Sequence, residues 1–595
     1  MVSRMAEAIW RVPDTVIDSD DPAYQLLELR GVEDPKAFLK ITKKSFHNPY
    51  KMKDMKKAVH RIMDAIKAGL KIGIFGDYDA DGVSSTSLFI LALRDLGADV
   101  VYFVPDRFKD GYGVNKRALD QFKADGVQFI ITCDTGITAV DQVDYAKQLG
   151  MDIIVTDHHE PQMRDAFDER LHEVGQVVSS TSGECYLIPD TIVVNPHRPD
   201  CNYPFKSLAG VGVVFKLLCA LCEKMHPAGR SAAYQYMDLV TIGTIADVMN
   251  IVDENRTICK LGLKMMNTTK NRGLYQLLRA NDLDGKQVTS KDIGWSIGPC
   301  INAAGRIVSA TEAVEMLISD NKRKAFKLAK RLVEINQERK DLTKTYVEPI
   351  IRAITAEQDN NPTAIVVHYH PQVPEGIIGL LAGRISNHFY KPTILLSDAD
   401  EDGFYKGSGR SIKGFDLFNA LMGQASLMTN FGGHADACGL TLEKDEFETL
   451  KHRLEFFAEA TMTAGSLQKK VYIDCIIEDP SILDLDFIDD MNRLEPFGNG
   501  NQRPTFMISD MRVIREMPVG NEKNHMWALL ASNKHTFGTI GFFLYEKYEA
   551  IGKPKNIDVV FCPVRNEYPK GSGKINVQLE IEDIRKHEKK KKVRK

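Results

Sequence analysis

The sequence contains no uninterrupted apolar run long enough to cross a bilayer. Its first residues, MVSRMAEAIWRVPD, lack the apolar core of a signal peptide, so the expected compartment is the cytoplasm, with no membrane contact. A disulfide framework is missing as well. The 10 cysteines are scattered without regular spacing, as in a reducing compartment. One C-x-x-C, Cys219 to Cys222, lies in VFKLLCALCEKM, whose apolar helical periodicity reads as buried core thiols rather than zinc ligands or a redox pair. A strong net charge is also absent: 77 Lys and Arg face 81 Asp and Glu, a balance of -4. Bulk charge therefore does not announce a nucleic-acid binder. Because the final stretch RKHEKKKKVRK is strongly basic, the rest of the chain is more acidic still. A polyphosphate ligand would have to be met by local basic patches and by metals. The tail reads first as a solvated end and second as a weak phosphate-binding segment.

A chain of 595 residues is too long for one hydrophobic core and divides into about three to four domains. From residue 69 on, short β-branched runs alternate with amphipathic helical stretches: KIGIFGD, DVVYFVPD, FIITCDTG, MDIIVTDHHE and TIVVNPH. That alternation predicts a parallel sheet covered on both faces, whose ligands bind beyond the carboxyl ends of the strands. The region from about 207 to 355 reads as helical and ends in AFKLAKRLVEINQERKDLTKTYVEPIIRAI, a long charged amphipathic helix that reads as a connector between lobes. A second α/β segment begins at TAIVVHYH. After about 468 short alternating strands predict a small barrel or sandwich. The expected divisions are an N-terminal segment packing on the catalytic domain (1–68), the catalytic α/β domain (69–320), a connecting helix (321–358), a second α/β domain (359–465), a β-barrel (466–585) and a basic tail (586–595).

The acidic residues are concentrated at predicted strand ends. Asp77, Asp79 and Asp81 follow one strand, Asp134 another, and Asp157, His158 and His159 a third, while Asp247 ends a predicted helix in TIGTIADVMN. Taken alone, D-x-D-x-D-G is equally a solvated turn whose carboxylates cap a helix, and adjacent histidines are weak signals. Together on one rim, hard carboxylates with one or two imidazoles form a donor set for Mn2+ or Mg2+, whereas thiolates would have pointed to zinc. So many carboxylates exceed the charge of one divalent ion. Two ions would balance them and suit phosphodiester hydrolysis.

GDYDADG, CDTG, TDHHE and ADVM, in this order, resemble the four motifs of the DHH phosphoesterase superfamily, and GGHADACG resembles its associated DHHA1 domain. DPKAFLK, INAAGRI, EGIIGLLAGRI, GSGRS and LEPFGNGN make the chain similar, within that superfamily, to the RecJ-type exonucleases over roughly residues 30 to 585. The resemblance implies an OB-fold for the C-terminal barrel. It also implies two Mn2+ or Mg2+ ions held by Asp79, Asp81, Asp134, His158 and Asp247, with Asp134 bridging them. Asp77 and Asp157 would be ligands or outer acceptors, and His159 would stand by the scissile phosphate. The implied activity is release of 5′-mononucleotides from the 5′ end of single-stranded DNA, in repair and recombination. A monomer is implied, with a helicase and a single-strand-binding protein as candidate partners.

The same resemblance assigns substrate contacts to Asn302, Arg306, Arg384, Ser408, Arg410, Ser411, Gly432, Gly433 and His434. In GSGRS, hydroxyls, flexible amides and a guanidinium form a set suited to phosphate, although an ordinary glycine turn is the plainer reading of that stretch alone. Two positions depart from the family: an arginine is replaced by Cys300, and a histidine near Pro374 is missing. Both concern phosphate contacts and leave the fold expectation intact. Cys300 reads as packed. Phe506, Trp527, Phe542 and Phe543 are candidate base platforms that read equally as barrel core. Two other functions stand beside the exonuclease. One is a DHH-type phosphodiesterase of short oligonucleotides or cyclic dinucleotides, which would lack the barrel. The other is a non-catalytic single-strand-binding replication scaffold, which would have lost the carboxylates.

Overall fold

In a computed structural model, residues 8–167, 169–463, 465–567 and 573–588 are described. The chain forms two compact units. Among the described residues, one comprises the stretches within 41–342 with 496–502, and the other those within 8–40, 343–495 and 503–588.

The first strand, β1 (Ile9–Arg11), belongs to the second unit, whereas the strands that follow build the first. These are β2 (Ile72–Gly76), β3 (Val100–Phe103), β4 (Phe129–Cys133), β5 (Asp152–Thr156) and, after a small antiparallel sheet of β6 (Gln162–Met163), β7 (Gly175–Ser179) and β8 (Cys185–Pro189), β9 (Ile192–Val194). Strands β3-β2-β4-β5-β9 form one sheet, parallel throughout. The fully buried patterns of β2 (IGIFG) and β4 (FIITC) follow from cover on both faces. One face packs against the helices Met55–Lys67, Ala80–Asp95 and Gly210–Met225. The other packs against Lys116–Ala124 and Val140–Gln148. Strand order reverses between β2 and β4, which opens a crevice at their carboxyl ends, the usual ligand position in such sheets.

A continuous helix, Lys322–Asn360, starts in the first unit and ends in the second, with Pro349 inside it. The second unit then adds a mixed sheet of β10 (Val366–Tyr369), β11 (Thr393–Asp398), β12 (Phe404–Arg410), β13 (Met428–His434) and β14 (Ala437–Glu443), in the order β10-β11-β12-β14-β13. Strand β15 (Lys470–Tyr472) and β16 (Cys475–Ile476) lead into β17 (Phe506–Val519), β18 (His525–Ser532), β19 (His535–Gly541), β20 (Asn556–Glu567) and β21 (Ile575–Lys586). The order β17-β18-β19-β21-β20 closes on itself through a β17–β20 pairing. This is a five-stranded barrel with the connectivity of an OB-fold. Phe506 is buried in it, whereas Phe542 and Phe543 are exposed against the His525 ring.

Of the expected N-terminal segment (1–68), residues 8–40 group with the barrel's unit and residues 41–68 with the parallel sheet's unit. Strand β1 pairs in parallel with β15, Arg30 places its fork on Asp474 (2.8 and 2.9 Å), and the Trp10 indole donates to Asp583 at 2.8 Å. A three-residue strand carries no periodicity from which this could be read. The expected tail begins inside structure, because β21 runs to Lys586, and from residue 589 on it lies outside the described residues. All ten cysteines are free, and Cys219 and Cys222 are buried in the helix Gly210–Met225.

Candidate metal centre

The carboxyl ends of β2, β4 and β5 each pass into a tight turn that carries acidic residues. After β2, Asp79 caps the helix Ala80–Asp95, its Oδ1 accepting from the amides of Asp81 and Gly82 at 2.9 Å. Asp81 is buried, and both its oxygens accept backbone hydrogens at the start of the helix Gly210–Met225: Gly210 N at 2.6 Å and Val211 N at 3.0 Å. A helix N-terminus is where a carboxylate is best held. After β4, Asp134 sits at φ +64°, a left-handed conformation uncommon for any residue but glycine. Hydrogen bonds around it fix that turn: Asp134 N to Thr156 O at 3.1 Å, Thr132 Oγ1 to Thr135 O at 2.7 Å, and Thr156 Oγ1 to Thr132 O at 2.5 Å.

These turns bring the side chains together. Among the described residues, three overlapping groups have ligand atoms within 4.8 Å of one another: Asp77, Asp79 and Asp134; Asp81, His158 and Asp247; Asp134, His158 and His159. His158 Nε2 stands 3.1 Å from Asp134 Oδ1, 3.7 Å from Asp247 Oδ2 and 4.0 Å from Asp81 Oδ2. Asp77 Oδ1, Asp134 Oδ1 and Asp247 Oδ2 are buried with no hydrogen-bond partner. Glycines make room around them. A Cβ at Gly210 would lie 2.4 Å from Asp134 Oδ1, one at Gly243 2.5 Å from Asp81 Oδ1, and one at Gly82 2.5 Å from Asp77 O.

Burial is the first cause of the electrostatics, and neighbouring charge the second. Asp77 is pushed up to about 8 and Asp81 to about 7 by burial and then by Asp79. Asp134 and Asp247 are driven well above the carboxylate range by burial and then by Asp81 and Asp79. Burial and the adjacent His159 push His158 down to about 3, leaving a neutral imidazole able to donate a lone pair. Buried carboxylates in this number ionise together only if cations balance them. Orphaned oxygens, hard donors and glycines that let the carboxylates approach closely fit divalent Mn2+ or Mg2+.

Asp157 is placed differently from the other acidic residues. Its oxygens accept from Ile137 N (2.8 Å), His158 N (2.7 Å) and His159 N (3.1 Å), and Oδ1 lies 2.7 Å from His159 Nδ1. Burial pushes Asp157 up, but His159 and these hydrogen bonds hold it at about 2. Against the same desolvation, Asp157 raises His159 to about 9. His159 is thus oriented by Asp157 beside Asp134 and His158, its main-chain oxygen fixed by Asn195 Nδ2 at 2.9 Å.

Two neighbours escaped the sequence reading. The Tyr112 hydroxyl lies 3.2 Å from His159 Nε2, and the Arg107 guanidinium stacks 4.2 Å above the Tyr78 ring while donating to Gly305 O at 3.2 Å. Their signal was PDRFKDGYG, a loop directly after a strand with Gly111 and Gly113 at positive φ. Of the predicted substrate residues in this unit, Asn302 accepts from Ala80 N at 2.8 Å, and Arg306 lies four residues on along the same helix, Gly298–Ile307. Cys300 is buried there between Asn281 and Asn336.

The remaining predicted residues lie in the second unit. Ser408 pairs with Gly439, which pairs with Gly432, and Arg410 pairs with Ala437, which pairs with His434. Alternation places Ser408, Arg410, Gly432 and His434 on one face of β12-β14-β13. The helix Glu375–Phe389 approaches that face through Gly379, where a Cβ would lie 2.8 Å from Arg410 Nη2; Arg384 is exposed on this helix. Arg410 Nη1 donates to Ser408 Oγ at 3.0 Å. Gly433 closes tightly on Ala437, His434 is exposed, and the Ser411 hydroxyl is spent on Phe415 O at 2.6 Å.

Family models agree with this architecture. The DHH family, N-terminal domain, matches residues 71–244, the DHHA1 domain 361–460, and the RecJ OB domain 473–583. The single-stranded-DNA-specific exonuclease RecJ of Bacillus subtilis is 36% identical over 564 residues, 94% of this chain and 67% of that protein. Its namesake in Escherichia coli is 34% identical over 483 residues, 78% of this chain and 79% of that one. RecJ of Thermus thermophilus, solved in complex with Mn2+, shares the fold at a TM-score of 0.78 and 24% identity, covering 98% of this chain and 80% of that one.

Proposed function

The chain belongs to the RecJ family of single-stranded-DNA-specific exonucleases, and from that premise we propose that it degrades single-stranded DNA from the 5′ end to 5′-mononucleotides at the acidic centre. The observation that carries the reading is the convergence of Asp77, Asp79, Asp81, Asp134, His158 and Asp247, with three buried oxygens that accept no hydrogen bond.

Asp79, Asp81, Asp134, His158 and Asp247 would hold two Mn2+ or Mg2+ ions, with Asp77 completing the set. When bound, such ions lower the pKa of a water and offset charge on the phosphoryl oxygens. The protein's own groups do the rest. Amides at Gly210 and Val211 keep Asp81 aimed, and the turn at Asp134 aims a second carboxylate. His159, made cationic by Asp157, meets the developing phosphate charge, with the Tyr112 hydroxyl orienting its ring. Ser408, Arg410 and His434, together with Gly432 and Gly433, Arg384, Ser411, Asn302 and Arg306, supply the DNA contacts. Repair and recombination are the setting, with a helicase and a single-strand-binding protein as partners. The working form is a monomer in the cytoplasm, in keeping with ten free thiols and, among the described residues, no helix long and apolar enough to cross a membrane.

End-labelled single-stranded DNA, duplex and dinucleotide, each with Mn2+ and with chelator, test this reading. Stepwise mononucleotide release from long single strands, abolished by chelator, is expected. Cleavage of dinucleotide only would favour the phosphodiesterase, and binding without cleavage the scaffold.

A further inference from the structure

The LEPFGNGN motif has no part in the chemistry so far, and its position is unusual. Residues 496–502 belong to the catalytic unit, although the residues on either side of them in the chain belong to the other. The insert is a closed loop: Gly498 and Asn501 exchange backbone hydrogen bonds (2.9 and 3.2 Å), and Asn501 Nδ2 donates to Pro496 O at 2.8 Å. Ser290 Oγ anchors it on Phe497 O at 2.6 Å.

What the insert grips is the segment that follows Asp247. Asp247 ends the helix Met237–Ala246, and the next helix begins at Asp253. Between them Val248 takes φ +56° while 68% exposed, and Asp253 takes φ +46°. A β-branched residue at positive φ is a genuine outlier, and such strain persists only where surrounding contacts over-determine it. Part of that restraint is the helix's own closing turn, Val248 N to Ile245 O at 3.1 Å and Met249 N to Thr244 O at 3.3 Å, and part is Asn255 Nδ2 on Asn250 O at 3.0 Å; the insert adds contacts from outside the segment. Asn499 Nδ2 donates to Val248 O at 3.2 Å, and Asn499 O accepts from Ile251 N at 2.7 Å. Gly498 lies so close to Ile251 that a Cβ would fall 2.8 Å from its Cγ1, and Gly500, at φ +71°, stands against Asn250.

We infer that Asn499 is a positioning residue for Asp247: the 496–502 insert holds the strained 248–251 segment and thereby sets the carboxylate that completes the Asp81–His158–Asp247 group. The inference rests on Asp247 being a metal ligand. Outer groups that orient ligands typically contribute about 10- to 100-fold in metal affinity, and a group one step further out is expected at the lower end.

The test is Mn2+ binding to the metal-free full-length protein, followed by the electron paramagnetic resonance of the free ion, for wild type, Asn499→Ala, Asn499→Asp, Gly498→Ala and Asp247→Asn. Asn499→Asp keeps the shape and removes the donor. Each Asn499 variant and Gly498→Ala should weaken one class of Mn2+ site about tenfold. Nuclease turnover lost at low Mn2+ should be regained at high Mn2+, with KM for single-stranded DNA unmoved. A merely structural role would lower the melting temperature and leave Mn2+ affinity unchanged, and that result overturns the inference. So does a rise in KM that matches the loss of turnover. If Asn499→Ala fails to fold, Asn499→Asp and Gly498→Ala decide. If Asp247→Asn binds Mn2+ like wild type, the reading of the centre itself fails. If only Asp247→Asn is impaired, the centre stands and the inference falls.

Discussion

The two regions that carry predicted site residues are built on opposite principles. At the ends of β2, β4 and β5 the carboxylates are buried or, at Asp79, half-buried, held by amides or tight turns, and packed closely against Gly82, Gly210 and Gly243. On β12-β14-β13 the row Ser408–Gly439–Gly432 is nearly bare, and His434 is exposed at the strand end. The first region concentrates repulsion that only cations relieve, so its geometry must be set before substrate arrives. The second presents donors on small residues, a surface that a flexible backbone of phosphates can track. Chemistry is expected to fail abruptly when the first is disturbed, and binding to weaken gradually when the second is.

The largest effect should come from Asp134→Ala. This side chain belongs to two of the three ligand groups and lies 3.1 Å from His158 Nε2. Its loss should lower kcat at least about a thousandfold, several kcal/mol of charge stabilisation, while single-stranded DNA is still bound. Gel-shift and nucleotide-release assays on one preparation check both halves, and near-normal release would break the comparison. Gly210→Ala should come next. The added Cβ would meet Asp134 Oδ1 at 2.4 Å and disturb the amide that holds Asp81. A fall in kcat of about a hundredfold is expected, with DNA affinity preserved, as for misplacement of catalytic groups by about an ångström. A variant with unchanged kcat would mean that the centre tolerates movement and is less pre-set than its packing indicates.

The first region was far more legible in the sequence than the second. Parallel strands buried on both faces give continuous apolar runs, and the residue after each run falls at the crevice, so Asp77, Asp134 and Asp157 could be placed on one rim without coordinates. What distinguishes them from one another was not legible. Asp157 faces three amides and His159, while Asp134 Oδ1 has no hydrogen-bond donor and faces the neutral His158; both are simply acidic residues after a strand. Tyr112 and Arg107 were missed because a loop has no period to reveal which side chain turns inward. The same reason hid the insert at 496–502 and the transfer of residues 8–40 to the barrel's unit, since both depend on contacts between residues hundreds of positions apart. Among the barrel aromatics, alternation alone could not tell Phe506, in the core, from Phe543, exposed at φ +57°.

The smallest effect, and the one that sharpens the contrast most, is expected from Arg410→Ala. Its guanidinium is oriented by Ser408 Oγ at 3.0 Å and by Gly409 O at 2.7 Å, and Gly379 leaves it space beside the helix Glu375–Phe389. Removing a charged donor to phosphate should raise KM for single-stranded DNA about tenfold, in the range of one charge-assisted hydrogen bond. Turnover at saturating DNA should stay within about threefold of wild type, the pattern of an interaction made equally in ground and transition states. Raising ionic strength should narrow the gap, because the contact proposed for Arg410 is to phosphate and salt already erodes such contacts. If kcat falls instead while KM holds, Arg410 acts on the reacting phosphate and the second region shares in the chemistry. The division between a rigid centre and an adaptable binding face would then be wrong at that residue, and Ser408→Ala, which removes only the orienting hydroxyl, would be expected to show the same kcat defect in weaker form.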